Sequence, residues 1–347
     1  MNTIQITPLL ETLQISKISD EEYFSEPYKN FISNSRLGLI NPQQEGSPEK
    51  FFSGFKPIYS SSLDIGTAVH SLCLQKELFN IVDTVDKPTG KMGVMAEELF
   101  KIWQGSIPTS EDILEVAKKI DYYGGKLSPK RIEEVKEKCK DFWITKNRHL
   151  RTRGEDERVD LYLDPKSRET SYACIKAIEN SKQIQDILNP KSVVEGLSEP
   201  ISENEQAILL DIRIDMPDTQ PFILRLKAKL DHFVIDTLNN SIQVNDIKTL
   251  GRIVSEMEIN IQKYHYNREF AFYSWLLSLV AKKFYNIENP TISGNYLVVS
   301  TIPQYYTKVI PMTKKMFIEG WNEVRYLLRL IAKEVATNHK DFAYKWI

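Results

Sequence analysis

Two acids and a lysine carry the clearest chemical signal in this 347-residue chain. In Leu224-Arg225-Leu226-Lys227-Ala228-Lys229-Leu230-Asp231 apolar and charged residues alternate, the period-two pattern of a half-buried strand. One face would carry Leu224, Leu226, Ala228 and Leu230, and the other Arg225, Lys227, Lys229 and Asp231. Downstream, Val244-Asn245-Asp246-Ile247-Lys248 puts Asp246 and Lys248 on one face, roughly 7 Å apart at the ordinary rise of a strand. The turn formers of Asp236-Thr237-Leu238-Asn239-Asn240-Ser241 join the two runs, so a hairpin is expected to bring Asp231 near Asp246. Carboxylates that close repel each other unless a cation lies between them, and hard oxygen donors select Mg²⁺ or Mn²⁺. Lys248, protonated, cannot ligate a metal, but its ammonium can stabilise negative charge on a phosphate or orient a metal-bound water. Together these residues predict a site for phosphodiester hydrolysis. Acid-x-Lys triplets also stand at Glu134-Val135-Lys136 and Asp164-Pro165-Lys166, in helix-like and turn-like contexts, and two ordinary surface charges on a hairpin remain the alternative reading.

The elements that must position these groups follow from periodicity. Ile208 to Ile214, Phe222 to Ile235 and Ile242 to Ile247 read as strands. An apolar-periodic helix over about 263–285 comes next, then strands at Asn295 to Ser300 and Thr307 to Pro311, and an amphipathic helix over about 314–336. Gly66-Thr67-Ala68-Val69-His70-Ser71-Leu72-Cys73 spaces its apolar residues as a buried helix starting near Gly66. Helix starts are expected at Ser110 and at Ser128-Pro129, whereas residues 1–60 read as short helices and loops. The pattern predicts an α/β protein: a mixed central sheet flanked by helices in residues 191–347, preceded by a mainly helical region, 1–190.

Composition narrows the function classes. With 41% hydrophobic and 27% charged residues the chain is globular, and a formal charge of −2 excludes a cationic sleeve over the whole surface. Charge is concentrated locally: 126–153 holds ten Lys or Arg against four acids, which suits either a solvated helix face or contact with a polyanion. No apolar run reaches the roughly 20 residues of a membrane span, and the start of the chain lacks a signal-peptide pattern, so a cytoplasmic protein with no membrane partner is expected. Cys73, Cys139 and Cys174 are too scattered for a disulfide framework, a zinc site or an iron-sulfur cluster.

Three segments, Lys227-Ala228-Lys229-Leu230-Asp231, Asp246-Ile247-Lys248-Thr249 and Tyr264-His265-Tyr266-Asn267-Arg268-Glu269-Phe270-Ala271-Phe272-Tyr273, resemble the core of the PD-(D/E)xK nuclease superfamily, in particular the RecE-type and lambda-exonuclease-type enzymes of phages and prophages. Gly66-Thr67-Ala68-Val69-His70 is similar to the G-T-x-x-H helix of such nucleases. The resemblance covers about residues 55–80 and 200–300. It implies a restriction-endonuclease-like nuclease core in which Asp231, Asp246 and the Ile247 carbonyl ligate Mg²⁺ or Mn²⁺, His70 adds a ring nitrogen, and Lys248 is the catalytic lysine. It further implies an upstream acid, for which Glu205 fits best and Glu199 or Glu195 are substitutes. Where the family usually has glutamine, this chain has Glu269, and Leu230 stands in place of the proline before Asp231.

Lys227, Lys229, Tyr264 and Arg268 are then the candidates for contacting DNA. Tyr264, Tyr266 and Tyr273 suit core packing equally well. The implied activity is a deoxyribonuclease, expected to be an exonuclease on duplex ends in phage-type recombination. A single-strand annealing protein is the implied partner and a homo-oligomer the implied assembly. A catalytically inactive DNA-binding or phage assembly protein on the same fold, or a structure-selective endonuclease, are the alternatives.

Overall fold

The computed structural model describes residues 4–54, 61–103, 105–191 and 199–347. The molecule is a mixed α/β structure with a central seven-stranded sheet flanked by helices. In chain order the strands are β1 (Gln5–Ser16), β2 (Phe79–Ile81), β3 (Val159–Leu161), β4 (Ile201–Met216), β5 (Thr219–Asp236), β6 (Ser241–Leu250), β7 (Thr291–Ser300), β8 (Thr307–Pro311) and β9 (Lys345–Trp346). The main sheet runs β1-β4-β5-β6-β7-β8, with β9 added to β5, while β2 and β3 form a small parallel pair. The larger helices are α1 (Ser61–Leu74), α2 (Gly90–Ile102), α3 (Ser110–Lys119), α4 (Pro129–Thr152), α5 (Pro165–Asn180), α6 (Tyr266–Tyr285) and α7 (Lys314–Thr337).

β4, β5 and β6 form an antiparallel meander, and the hairpin expected around Asp236 to Ser241 is present. β6 and β7 are parallel, which requires a crossover, and α6 supplies it. The helices pack through alternate strand residues. On β7, Tyr296 and Val298 join the cluster that includes Phe270, Leu277 and Leu327 of α6 and α7, whereas Leu297 and Val299 join Ala68, Val69, Cys174 and Ile178 of α1 and α5. α6 and α7 meet at Gly320, where a Cβ would lie 1.9 Å from the Asn267 carbonyl oxygen. No larger side chain fits that crossing.

β1 corrects the expectation of only helices and loops in residues 1–60. It pairs antiparallel with β4 at the rim of the sheet, where Pro8 is tolerated because one edge carries no ladder. Its polar composition and central Pro-Leu-Leu hide the alternation that sequence reading depends on.

Packing also crosses the division expected at residue 190. Ile4, Leu13, Ile32, Leu37 and Phe51 lie in the same cluster as the β4–β7 core. Residues 82–162 build a cluster of their own around Met95, Leu99, Phe142 and Trp143. Here the expected helix starts hold. Ser128 caps α4 ahead of Pro129, and Thr109, one residue before the expected start, forms a capping box with Asp112 on α3. α1 begins at Ser61, five residues before Gly66. No helix among the described residues is long and apolar enough to cross a membrane.

Candidate metal centre

The β4–β5 register pairs Asn204 with His232 and Gln206 with Leu230, which sets Glu205 opposite Asp231. The β5–β6 register ends at His232–Asn245, one residue short of Asp231 and Asp246. Three carboxylates therefore stand at one level across three neighbouring strands, where the β5–β6 ladder opens. Asp231 fills the opening by accepting the Ile247 amide proton through Oδ2 at 2.9 Å. Glu205 has φ of 52°, the left-handed region that a non-glycine residue occupies only when its surroundings hold it there. On β5 the core-facing set changes at the same level, from Phe222, Leu224, Leu226, Ala228 and Leu230 to Phe233 and Ile235.

α1 brings the histidine. Its Ala68 and Val69 pack against Ile247, Leu297 and Val299, leaving His70 at the carboxylates with Nδ1 3.2 Å from Asp231 Oδ2. Donor atoms of His70, Glu205 and Asp231 lie within 4.8 Å of one another, a group able to hold a metal ion. Asp246 is deeper. Its Oδ2 is 2.8 Å from Lys248 Nζ, a buried ion pair. Lys248 Nζ is also 3.0 Å from Glu269 Oε2 and 4.5 Å from the centre of the Tyr266 ring. A donor set of carboxylates and one imidazole fits a hard divalent cation.

The electrostatics express the crowding. Burial and the Asp231 charge push the Glu205 carboxyl up against the pull of Lys229. Asp246 is pushed well above the usual carboxylate range by burial, with Asp231 and Glu269 adding to it and Lys248 opposing. Burial also disfavours charge on Lys248 and His70, but their acidic neighbours win. Asp246 and Glu269 hold Lys248 well above an ordinary lysine, and Asp231 holds His70 up at about 9. Asp231 is lowered because His70 and Lys248 outweigh its burial. Behind the row His232 is fully buried between Ser202 Oγ and Asn245 Nδ2, each at 2.9 Å, and burial pulls it down to about 4. Asn295 Nδ2 continues the chain to Asn245 Oδ1 at 2.9 Å, so polar side chains cross four strands one residue from the carboxylates.

The cavity over this cluster measures about 610 Å³ and is lined by Asp20, Phe24, Leu63, His70, Glu205, Lys229, Asp231, Lys248, Tyr264 and Tyr266 among others. Lys229 faces it, with Nζ 3.0 Å from Glu205 and 2.6 Å from Asp20. Tyr264 stands at its rim, 47% exposed. Two expected DNA contacts are not presented there. Lys227 is 6% exposed, beneath Tyr23 and donating to its carbonyl at 2.6 Å. Arg268 is 2% exposed and donates to Asn34, Gln44 and Glu323, which hold its guanidinium between helices. Tyr273 is near Glu269 and Tyr23, whose charges add to the burial that raises its hydroxyl. Glu199 is exposed ahead of β4 and outside the cluster, and Glu195 lies outside the described residues.

The other acid-x-Lys triplets have structural duties. Asp164 caps α5 by accepting from the Lys166 and Ser167 amides, and Glu134 pairs with Lys138 and Arg131 along α4. Sequence reasoning missed Asp20 and Phe24, because both reach the site from a short segment more than 200 residues away from Lys229. It saw Glu269 only as a departure from a pattern. The thiols are free, and burial raises Cys73 and Cys139 to about 12 and Cys174 to about 11.

No protein family model and no curated protein matches the chain. Among solved structures it is similar to a crystal structure named "Putative exonuclease" from Eubacterium rectale, with a TM-score of 0.43 and 11% identity over 96% of this chain and 95% of that one.

Proposed function

We propose that the protein is a metal-dependent deoxyribonuclease of the PD-(D/E)xK type, with Glu205, Asp231, Asp246 and His70 holding Mg²⁺ or Mn²⁺ and Lys248 acting beside them. The observation that carries this reading is the placement of three mutually repelling carboxylates at one level of three adjacent strands, with an ammonium at 2.8 Å from the innermost. Asp231 raises the proton affinity of both Glu205 and Asp246, a repulsion that a bound cation would relieve.

When bound, the divalent ion supplies Lewis acidity and lowers the pKa of water. The residues of the chain do the rest. Asp231 is fixed by the Ile247 amide, so its free lone pairs keep one direction. Glu269 holds the Lys248 ammonium, which remains charged and available to a phosphate oxygen or the attacking water when Asp246 turns to the ion. Lys229 offers a second cation to the phosphate. The Ile247 carbonyl is the further ligand that the family pattern suggests. In this reading the substrate is duplex DNA attacked from an end, in phage-type recombination, with a single-strand annealing protein as partner and a homo-oligomer as the working form.

The test is degradation of linear duplex DNA with Mg²⁺ or Mn²⁺, with and without EDTA, by the wild type and Asp246→Ala. Metal-dependent loss of DNA that disappears in the variant is expected, and full activity in Asp246→Ala would refute the assignment. Covalently closed circles in parallel separate attack on ends from internal cleavage. Binding of Mn²⁺ and DNA with no cleavage would favour the inactive binding protein instead.

A further inference from the structure

Phe24 is the most exposed large hydrophobic residue among the described residues, at 73%, and it lines the carboxylate cavity. Its position is fixed from below. Tyr23 is buried, its carbonyl accepts from Lys227 Nζ at 2.6 Å, and Asp20 at the start of the same turn is held by Lys229 at 2.6 Å. The Tyr23 ring meets Phe24 edge-on with centroids 5.1 Å apart. An aromatic ring kept in water by an anchored backbone, beside a charged floor, has a face free for a flat partner.

Other lining residues have the same character. Tyr264 is tilted against Tyr266 with centroids 5.8 Å apart, and the Tyr266 ring is the one over Lys248. Leu63, 49% exposed, enters the cavity from α1 two turns before His70. Phe24, Leu63, Tyr264 and Tyr266 line the same cavity as the metal-binding group, with Lys229 beside it. At about 610 Å³ the space falls within the roughly 300–1,000 Å³ of small-ligand sites. An aromatic rim suits a single nucleic acid strand, because every unpaired base offers a π-face whereas an internal base pair has both faces covered.

Resting on the nuclease reading above, we propose that the cavity takes one unpaired strand and that Phe24 stacks on the base of a nucleotide whose phosphate lies at Glu205, Asp231 and Lys229. Phe24 is thus a positioning residue for the substrate, tolerant of base identity. In a duplex substrate it would engage the strand end only after the terminal base has left its partner.

The experiment compares single-stranded oligonucleotides that are intact or carry one abasic nucleotide at either end, cleaved with Mn²⁺ by wild type, Phe24→Ala and Phe24→Trp. For the wild type, the abasic substitution at the stacked position should lower kcat/KM about ten- to a hundredfold. In Phe24→Ala the intact-to-abasic ratio should fall to near one, and Phe24→Trp should restore it. Each ratio is taken within one variant, so partial unfolding cancels. An oligonucleotide with terminal 2-aminopurine, bound with Ca²⁺, should lose fluorescence on the wild type and keep it on Phe24→Ala. A ratio in Phe24→Ala equal to that of the wild type overturns the stacking role. Cleavage of linear duplex without any cleavage of single strands overturns this inference and leaves the nuclease reading standing, whereas no cleavage of any DNA overturns both.

Discussion

Two clusters of charge in this molecule invite comparison: the carboxylate row of β4–β6, and the group around Asp160 where β3 meets α4. Asp160 accepts from Arg153 Nη1 at 2.8 Å, from His149 Nε2 at 3.0 Å, from Tyr162 Oη at 3.2 Å and from Asn80 Nδ2 at 3.4 Å. Nearby, Lys146 pairs with Glu97 under the rings of Phe100, Phe142 and Tyr162. Burial pushes the Asp160 carboxyl up, yet Arg153, Asn80 and His149 bring it below the usual range. In the row the balance reverses at Glu205 and Asp246, which are both raised. The groups that bond Asp160 are all donors, whereas Glu205 and Asp246 each have another carboxylate acting on them besides their lysine, a charge that a cation would relieve.

The sharpest way to break that comparison is to remove one acid from each cluster. Asp246→Ala should lower nuclease activity by at least about a hundredfold, the scale of losing a group that stabilises developing charge. Asp246→Asn should leave the metal-free fold as stable as the wild type or more so, because a repulsion goes with the charge. Asp160→Ala should do the opposite. It should keep activity per folded molecule and destabilise by about 3 kcal/mol, since it strands Arg153 and His149. Activity assays alongside denaturant melts read both, and equal destabilisation by Asp160→Ala and Asp246→Asn would erase the distinction.

Metal titrations sharpen the electrostatic side. His70 sits at about 9 in the metal-free protein, and only its neutral form can ligate, so binding must release a proton at pH 7. Mn²⁺ affinity should rise about tenfold per pH unit from 7 towards 9 and then level off. In His70→Ala the affinity should be weaker and this pH dependence flatter. Calorimetry in buffers of different ionisation enthalpy counts the proton, and a pH-independent affinity would remove His70 from the ligand set.

The polar chain behind the row gives a stability signature of moderate size. His232 is held neutral in the fold, at about 4, against about 6.5 when unfolded. Its depressed value means no penalty above pH 6.5. Below that, stability falls as the unfolded state takes up the proton first, and the loss saturates under pH 4 at about 3 kcal/mol. Urea melts between pH 7 and 4 should show this slope, and His232→Gln should flatten it.

The smallest effect belongs to α4. Arg131, Lys136, Lys138, Lys146 and Arg153 are paired with acids, whereas Lys140, Arg148 and Arg151 are exposed and have no ion pair among the described residues. If DNA passes this face, Lys140→Ser with Arg151→Ser should weaken binding two- to threefold and reduce the salt slope by about one per lost phosphate contact. An unchanged slope would leave the helix face as solvated charge.

Much of this was legible in the sequence where information is local. The strands β4–β6 announce themselves by period two and by the Asp236–Ser241 turn, and the two aspartates with Lys248 follow from the same alternation. What was hidden is non-local. The role of Glu269 appears only when α6 lays it against Lys248, 21 residues on. The contact of Asp20 with Lys229 spans 209 residues, and the chain from Ser202 through His232 and Asn245 to Asn295 needs four strands in register. Arg268 and Lys227 look like surface cations in sequence because a pattern of letters does not reveal the carbonyls and acids that neutralise them.

The left-handed backbone at Glu205 has a consequence for anyone reshaping this scaffold. Glycine or asparagine would relax that twist and return about 1 kcal/mol of thermal margin, so a search for sturdier variants will be drawn to this position. Each such gain would also delete a carboxylate from the proposed metal centre. Ruggedness and the proposed metal binding are therefore opposed at a single peptide unit.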